Sequence, residues 1–128
     1  MPLGQRTEAL KTLLDAIPGA VGAPMTASRG SVPLVLIYKV MGKMFAILSV
    51  RGDESVILKC DPHLAETLKE QYAGVGHRSH LDPRFWISVS LGADVPAEEV
   101  ERLVAHSYDL VCAGLTRKQK AELAAAKP

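Results

Sequence analysis

A chain of 128 residues, 48% apolar and 23% charged, has the balance of one ordinary globular domain. A chain of this length buries roughly two-thirds of its unfolded surface, enough for a core without staples. Fifteen Lys and Arg against fourteen Asp and Glu leave a formal net charge of +1. That excludes a disordered polyelectrolyte and a uniformly basic nucleic-acid binder, and leaves room for a local basic face. The start, MPLGQRTEAL, has no basic segment followed by an apolar core, and runs such as VPLVLIY fall far short of the ~20 residues that span a bilayer. The expected compartment is the cytoplasm, with no membrane role.

In chain order, Leu10, Leu13, Leu14 and Ile17 fall at i, i+3, i+4, i+7 and predict a helix over Arg6–Ala16, stopped by Pro18-Gly19. Ala20–Ser31 is small, turn-rich and aperiodic, and reads as a loop. Three runs of strand character follow: Leu34–Val40, Met44–Val50 after a turn at Gly42, and Glu54–Cys60 after a turn around Arg51-Gly52-Asp53. They predict an antiparallel three-stranded meander. Asp61-Pro62 predicts an N-cap and first helical position, with Leu64, Ala65 and Leu68 on the apolar face and an end near Tyr72. Gly74–Arg84 reads as a loop that has room for a short strand. Trp86–Leu91 alternates as a half-buried strand, with Ile87, Val89 and Leu91 on one face and Trp86, Ser88 and Ser90 on the other.

Pro96 opens the clearest helix, striped by Val100, Leu103, Val104, Ser107, Val111 and Leu115, with Glu98, Glu99 and Glu101 near its positive end. Thr116 and Gln119 form a capping-box pattern for a last helix over Arg117–Ala126. Arg117, Lys118 and Lys120 sit near that helix's start, against its dipole, which suits either a partner or a solvated end. The expectation is one α+β domain of two layers: an antiparallel sheet, the meander plus at least one further strand, with helices on one face.

No constellation reads as an active site. Cys60 and Cys112 lie in apolar runs and read as buried thiols rather than a disulfide, and no C-x-x-C is present. His77 and His80, with Asp82 nearby, are short of a metal set and read as loop histidines; His63 and His106 read as surface or helix-flank residues. Ser107, mid-helix beside His106, points elsewhere than its neighbour and reads as a small residue that lets a strand approach. Tyr108 is expected to pack its ring and keep its hydroxyl at the edge. Asp53-Glu54 and Glu98-Glu99 have structural explanations, and the phosphate-loop, dinucleotide and nucleophile-elbow motifs are missing. The expectation is a protein that is not an enzyme and has no cofactor or metal.

The basic residues carry the functional expectation. Lys39 and Lys43 flank the first hairpin turn and Arg51 starts the second, where wing-like tips can reach phosphates. Lys59 alternates with core-facing residues and so lies on the open face, where Trp86 can join it; Arg78 and Arg84 flank the same region. The alternative is an ordinary solvated sheet face.

The segments YKVMGKMFAILSV, ESVILKCDP, HLDPRFWISV and VERLVAHSYDLVCAGLTRKQK resemble, in order and spacing, the MmcQ/YjbR family over Tyr38–Lys120. The resemblance implies a CyaY-like fold and DNA binding through a double-wing arrangement. Lys39, Lys43 and Lys59 match the family's lysines, Trp86 its tryptophan, and Ser107-Tyr108 its helix motif. Asp82 and Phe85 depart from the Asn and His often found there. Frataxin-like proteins share the fold and bind iron through acidic ridges, and this chain has no such acidic row. The leading expectation is a monomeric, non-enzymatic DNA-binding module using the open sheet face and hairpin tips, with Lys39, Lys43, Arg51, Lys59, Arg78, Arg84 and Trp86 as site residues. The rival is a protein- or small-ligand-binding module with no nucleic-acid role.

Overall fold

Alternation along the strands, broken where Phe45-Ala46 and Ile87–Val89 are buried in succession, divides the sheet into two sides. The computed structural model describes residues 5–25, 35–49, 54–76, 81–82, 84–91 and 93–126. Its elements are α1 (Gln5–Asp15), β1 (Ala20–Met25), β2 (Val35–Val40), β3 (Lys43–Ser49), β4 (Ser55–Lys59), α2 (Pro62–Gln71), β5 (Val75–Gly76), β6 (Trp86–Ser90), α3 (Ala97–Ala113) and α4 (Arg117–Ala126). The strands form one sheet in the order β1-β2-β3-β4-β6-β5, every pair antiparallel. The α+β class, the meander and the helices on one face are as the patterning predicts.

Two cross-strand rows form the floor of the core. Tyr38, Ala46, Leu58 and Ile87 lie side by side, as do Leu36, Leu48, Val56, Val89 and Val75. All of these except Leu36 are no more than 5% exposed. Onto this floor α1 lowers Leu10 and Leu14, α2 Ala65 and Leu68, α3 Val100, Leu103, Val104 and Val111, and α4 Leu123. Each fully buried aliphatic of this kind stabilises the fold by roughly 1.5–3 kcal/mol.

The helix ends follow local chemistry. The Asp61 carboxylate accepts from the N–H groups of His63 and Leu64 at 3.0 and 3.1 Å, and Pro62 fills a position that needs no donor. The Thr116 N–H donates to Gln119 Oε1 at 3.0 Å and the Gln119 N–H to Thr116 Oγ1 at 3.1 Å, which completes the predicted capping box. Between β2 and β3, Met41 and Gly42 have φ of 50° and 79°, the two left-handed residues of a hairpin turn whose twist matches its strands.

One expectation is corrected. The stretch Ala20–Ser31 reads as a loop, yet Ala20–Met25 is the edge strand β1, paired with β2 from Ala20↔Val40 to Met25↔Val35. Its sequence has no period, so the ladder to β2 makes it a strand. Gly22 lies against Tyr38, where an added Cβ would come within 2.7 Å of the ring, and Pro24 is tolerated because an edge strand has one unpaired side. The remainder of that stretch, 26–31, lies outside the described residues. A short strand inside Gly74–Arg84 is present as β5.

Tyr38 locks this edge. Its hydroxyl donates to Asp15 Oδ1 at 2.8 Å, and Lys11 holds the other carboxylate oxygen at 2.8 Å. The lysine first and the tyrosine second hold the Asp15 carboxyl below its usual range, and burial pushes the Tyr38 phenol well above its own. Gly22→Ala is expected to push the Tyr38 ring off β1, loosen this contact and destabilise the fold by roughly 1–3 kcal/mol, read as a lower urea midpoint at unchanged m-value.

Candidate functional site

Among the described residues no helix covers the second face of the sheet, and its rows differ in chemistry. One row runs Val21, Lys39, Met44 and, beyond a bulge in β3, Lys59 and Trp86. The next runs Ala23, Ile37, Ile47, Ile57, Ser88 and Gly76. A third holds Val35 and Ser49 on β2 and β3, and Ser55 and Ser90 on β4 and β6. The face therefore passes from a row with two cations and an indole, through three half-exposed isoleucines, to serine hydroxyls.

The site residues named from sequence separate on this map. Lys39 is exposed, and Lys59 and Trp86 are half-buried cross-strand partners on the same face. Lys43 faces the other way: its Nζ donates to the Gly114 carbonyl at 3.1 Å, capping the end of α3. The Arg84 guanidinium is paired with Asp82, Nη2 to Oδ2 at 2.8 Å and Nε to Oδ1 at 3.2 Å, and stands 5.3 Å from the centre of the Phe85 ring. Arg51 and Arg78 lie outside the described residues, as do His77 and His80. Sequence reasoning missed the isoleucine row. Its only signal was a β-branched residue at each polar-face position.

At the Trp86 end of the face lies an open cleft of about 380 Å³. Its lining includes the apolar residues Trp86, Phe85, Pro62 and, from α3, Leu110, together with the cation of Lys59 and the carboxylate of Asp61. Cys60 also borders it; burial pushes its thiol up to about 11, so at neutral pH it is an uncharged apolar group. Both cysteines are free thiols, Cys60 buried and Cys112 half-buried. No three His, Cys, Asp or Glu side chains among the described residues are grouped to hold a metal. Among them, too, no helix is long and apolar enough to cross a membrane.

The segment His106-Ser107-Tyr108 is a structural tie. In the β3–β4 register Ile47 faces Ile57, so Phe45 would face Lys59 two residues on. The β3 bulge interrupts the ladder there, and the fully buried Ser107 hydroxyl fills the gap. It accepts from the Lys59 N–H at 2.9 Å and donates to the Phe45 carbonyl at 2.6 Å. On one side His106 Nε2 accepts from the Asp61 N–H at 3.2 Å. On the other the Tyr108 hydroxyl donates to the Pro18 carbonyl at 2.7 Å, and its ring meets Phe45 edge-on at 5.5 Å. Burial and then the neighbouring Cys112 push the Tyr108 phenol up to about 12. Ser107 thus does more than leave room for a strand, and His106 is tied to the start of α2.

The family model described as YjbR matches residues 16–110. The Escherichia coli K12 uncharacterized protein YjbR is 35% identical over 71 residues, which is 55% of this chain and 60% of that protein. The uncharacterized protein YbdF of Escherichia coli O157:H7 is 28% identical over 85 residues, 66% of this chain and 70% of its own length. The crystal structure of Deinococcus radiodurans protein DR2400, from the domain family DUF419, superposes with a TM-score of 0.76 at 27% identity, covering 91% of this chain and 86% of that one. A Pseudomonas syringae protein at 20% identity and TM-score 0.62 has the same fold.

Two outcomes test the site's supports. Ser107→Ala leaves a buried N–H and a buried C=O without partners, at about 1–3 kcal/mol each, so the variant is expected to unfold at markedly lower urea. The Asp94 carboxylate accepts from the Gly74 and Ala73 N–H groups at 2.8 and 2.7 Å, and those bonds hold its carboxyl below the ordinary range. The stability it contributes is therefore present above its unfolded pKa and is lost as pH falls through the lowered folded value. Asp94→Asn is expected to melt below the wild type at neutral pH, with the gap closing in acid.

Proposed function

The chain belongs to the YjbR family, and from that premise we propose that it is a non-enzymatic module that binds DNA, in single-stranded form, on the helix-free face of its sheet. The observation that supports this is the row Lys39–Met44–Lys59–Trp86 beside the isoleucine row. Lysines on one border suit the phosphates of a strand, the indole offers a stacking surface, and the aliphatic row accepts bases that a duplex keeps hidden. A sheet face is also flat enough for a splayed strand, whereas the hairpin tip lacks a free Lys43, which is engaged with Gly114.

A second reading rests on the same isoleucines. Ile37, Ile47 and Ile57 form an apolar stripe of the kind that meets a protein partner.

The test is a salt series with labelled single strands and duplexes. Two phosphate contacts give a slope of about −1.4 in log K against log salt, roughly a sevenfold loss between about 50 and 200 mM. Single strands are expected to bind more tightly than duplexes. Trp86→Ala is expected to weaken single-strand binding about tenfold or more, from a stacking contribution of roughly 1–3 kcal/mol, in protein that still melts cooperatively. Ile47→Lys separates the two readings: an added cation steepens the salt slope of strand binding, while it would break an apolar protein interface. Absence of binding at low salt, or an Ile47→Lys variant whose strand binding shows no steeper salt slope, counts against the DNA reading.

A further inference from the structure

We infer that the cleft beside Trp86 is a nucleotide subsite, holding one unstacked base against its apolar lining with the phosphate on Lys59. This rests on the DNA reading of the sheet face and adds a defined pocket at one end of it. The cleft's volume of about 380 Å³ lies within the range of small-ligand sites, roughly 300–1,000 Å³. Its lining narrows the ligand class. Trp86, Phe85 and Pro62 are flat and apolar, the surfaces on which planar aromatic rings stack.

The polar groups select further. The Asp61 carboxylate also borders the cleft, but its Oδ2 accepts from the N–H groups of His63 and Leu64 at the start of α2, where the helix's positive end offsets its charge. The Cys60 thiol is buried and uncharged. Among the described residues Lys59 is the one cation in the lining, and it calls for an anionic group at the sheet side. Its backbone is fixed by the Ser107 hydroxyl on one edge and by the β6 ladder on the other, so the cation is presented from a rigid strand. With few polar groups placed to read base edges, the subsite accepts any base. The same chemistry comes from two sources, the terminal nucleotide of a strand or a free nucleotide.

The chain has a single tryptophan, so its fluorescence reports this cleft directly. Titrating the whole protein with AMP is expected to give saturable quenching. Adenosine should bind about tenfold more weakly, because it lacks the charge-assisted contact, and inorganic phosphate should not quench. Lys59→Met should remove the difference between AMP and adenosine, Lys59→Arg should retain it, and Phe85→Ala should weaken both ligands. Phe85 is 39% exposed and outside the core, so that variant is expected to keep a cooperative melt, and the charge-retaining Lys59→Arg covers a failure of Lys59→Met to fold. No saturable quenching by AMP at low salt overturns the proposal, as does an AMP preference that survives Lys59→Met. Competition of AMP against a bound 5′-phosphorylated strand assigns the source: competition means the strand's own end fills the cleft, and independent binding means a free nucleotide does. A strand that binds while AMP leaves Trp86 unchanged overturns the cleft and leaves the sheet face standing; AMP binding without strand binding does the reverse.

Discussion

A single buried hydroxyl joins the two layers of this domain. Ser107 stands on α3 with its side chain fully enclosed, and it receives the Lys59 N–H and gives its proton to the Phe45 carbonyl. Buried backbone groups without partners are costly, so a bulge in the centre of a sheet requires such a donor–acceptor. The hydroxyl meets that need with one atom and pins α3 over β3 and β4 at a set height. His106 and Tyr108, on either side of it, extend the tie to the start of α2 and to the turn after α1.

The bulge has a consequence on both faces. It turns Phe45 inward beside Ala46, so two consecutive residues of β3 are buried, and Phe45 meets the Tyr108 ring. On the other face it leaves Met44 opposite Lys39 and opens the row toward Lys59. Lys59 then carries two duties on separate atoms. Its N–H belongs to the Ser107 tie, and its side chain belongs to the open face and the cleft. A substitution that removes only the ammonium therefore leaves the tie in place, which allows binding and folding to be tested apart.

Several charged side chains serve the protein's own architecture. Lys43 caps α3, Lys11 and Tyr38 hold Asp15, Arg84 grips Asp82, and Asp61 and Asp94 cap backbone turns. Such contacts are locally useful and individually modest at the surface. On the sheet face that no described helix covers, Lys39 and Lys59 border an aliphatic centre. Under the proposed DNA reading, such a face meets few phosphates and derives much of its affinity from apolar and stacking contact, in keeping with a net charge of +1.

The sequence by itself determined the α+β class, the four interior strands β2, β3, β4 and β6, both capped helices and the two-sided character of β4. These follow from periods of 2 and 3.6 and from capping chemistry, which are local. It also placed Lys59 and Trp86 on one open face, because neighbours along a strand point oppositely. Only the tertiary structure decided that Ala20–Met25 is a strand, since its pairing to β2 is a long-range ladder with no period of its own. It likewise decided that Lys43 and Arg84 are engaged while Lys59 lines a cleft, because those outcomes depend on a carbonyl 71 residues away and on a carboxylate's side-chain geometry. The isoleucine row is the intermediate case: each residue was readable as facing out, but their alignment across three strands depends on register, which one bulge sets.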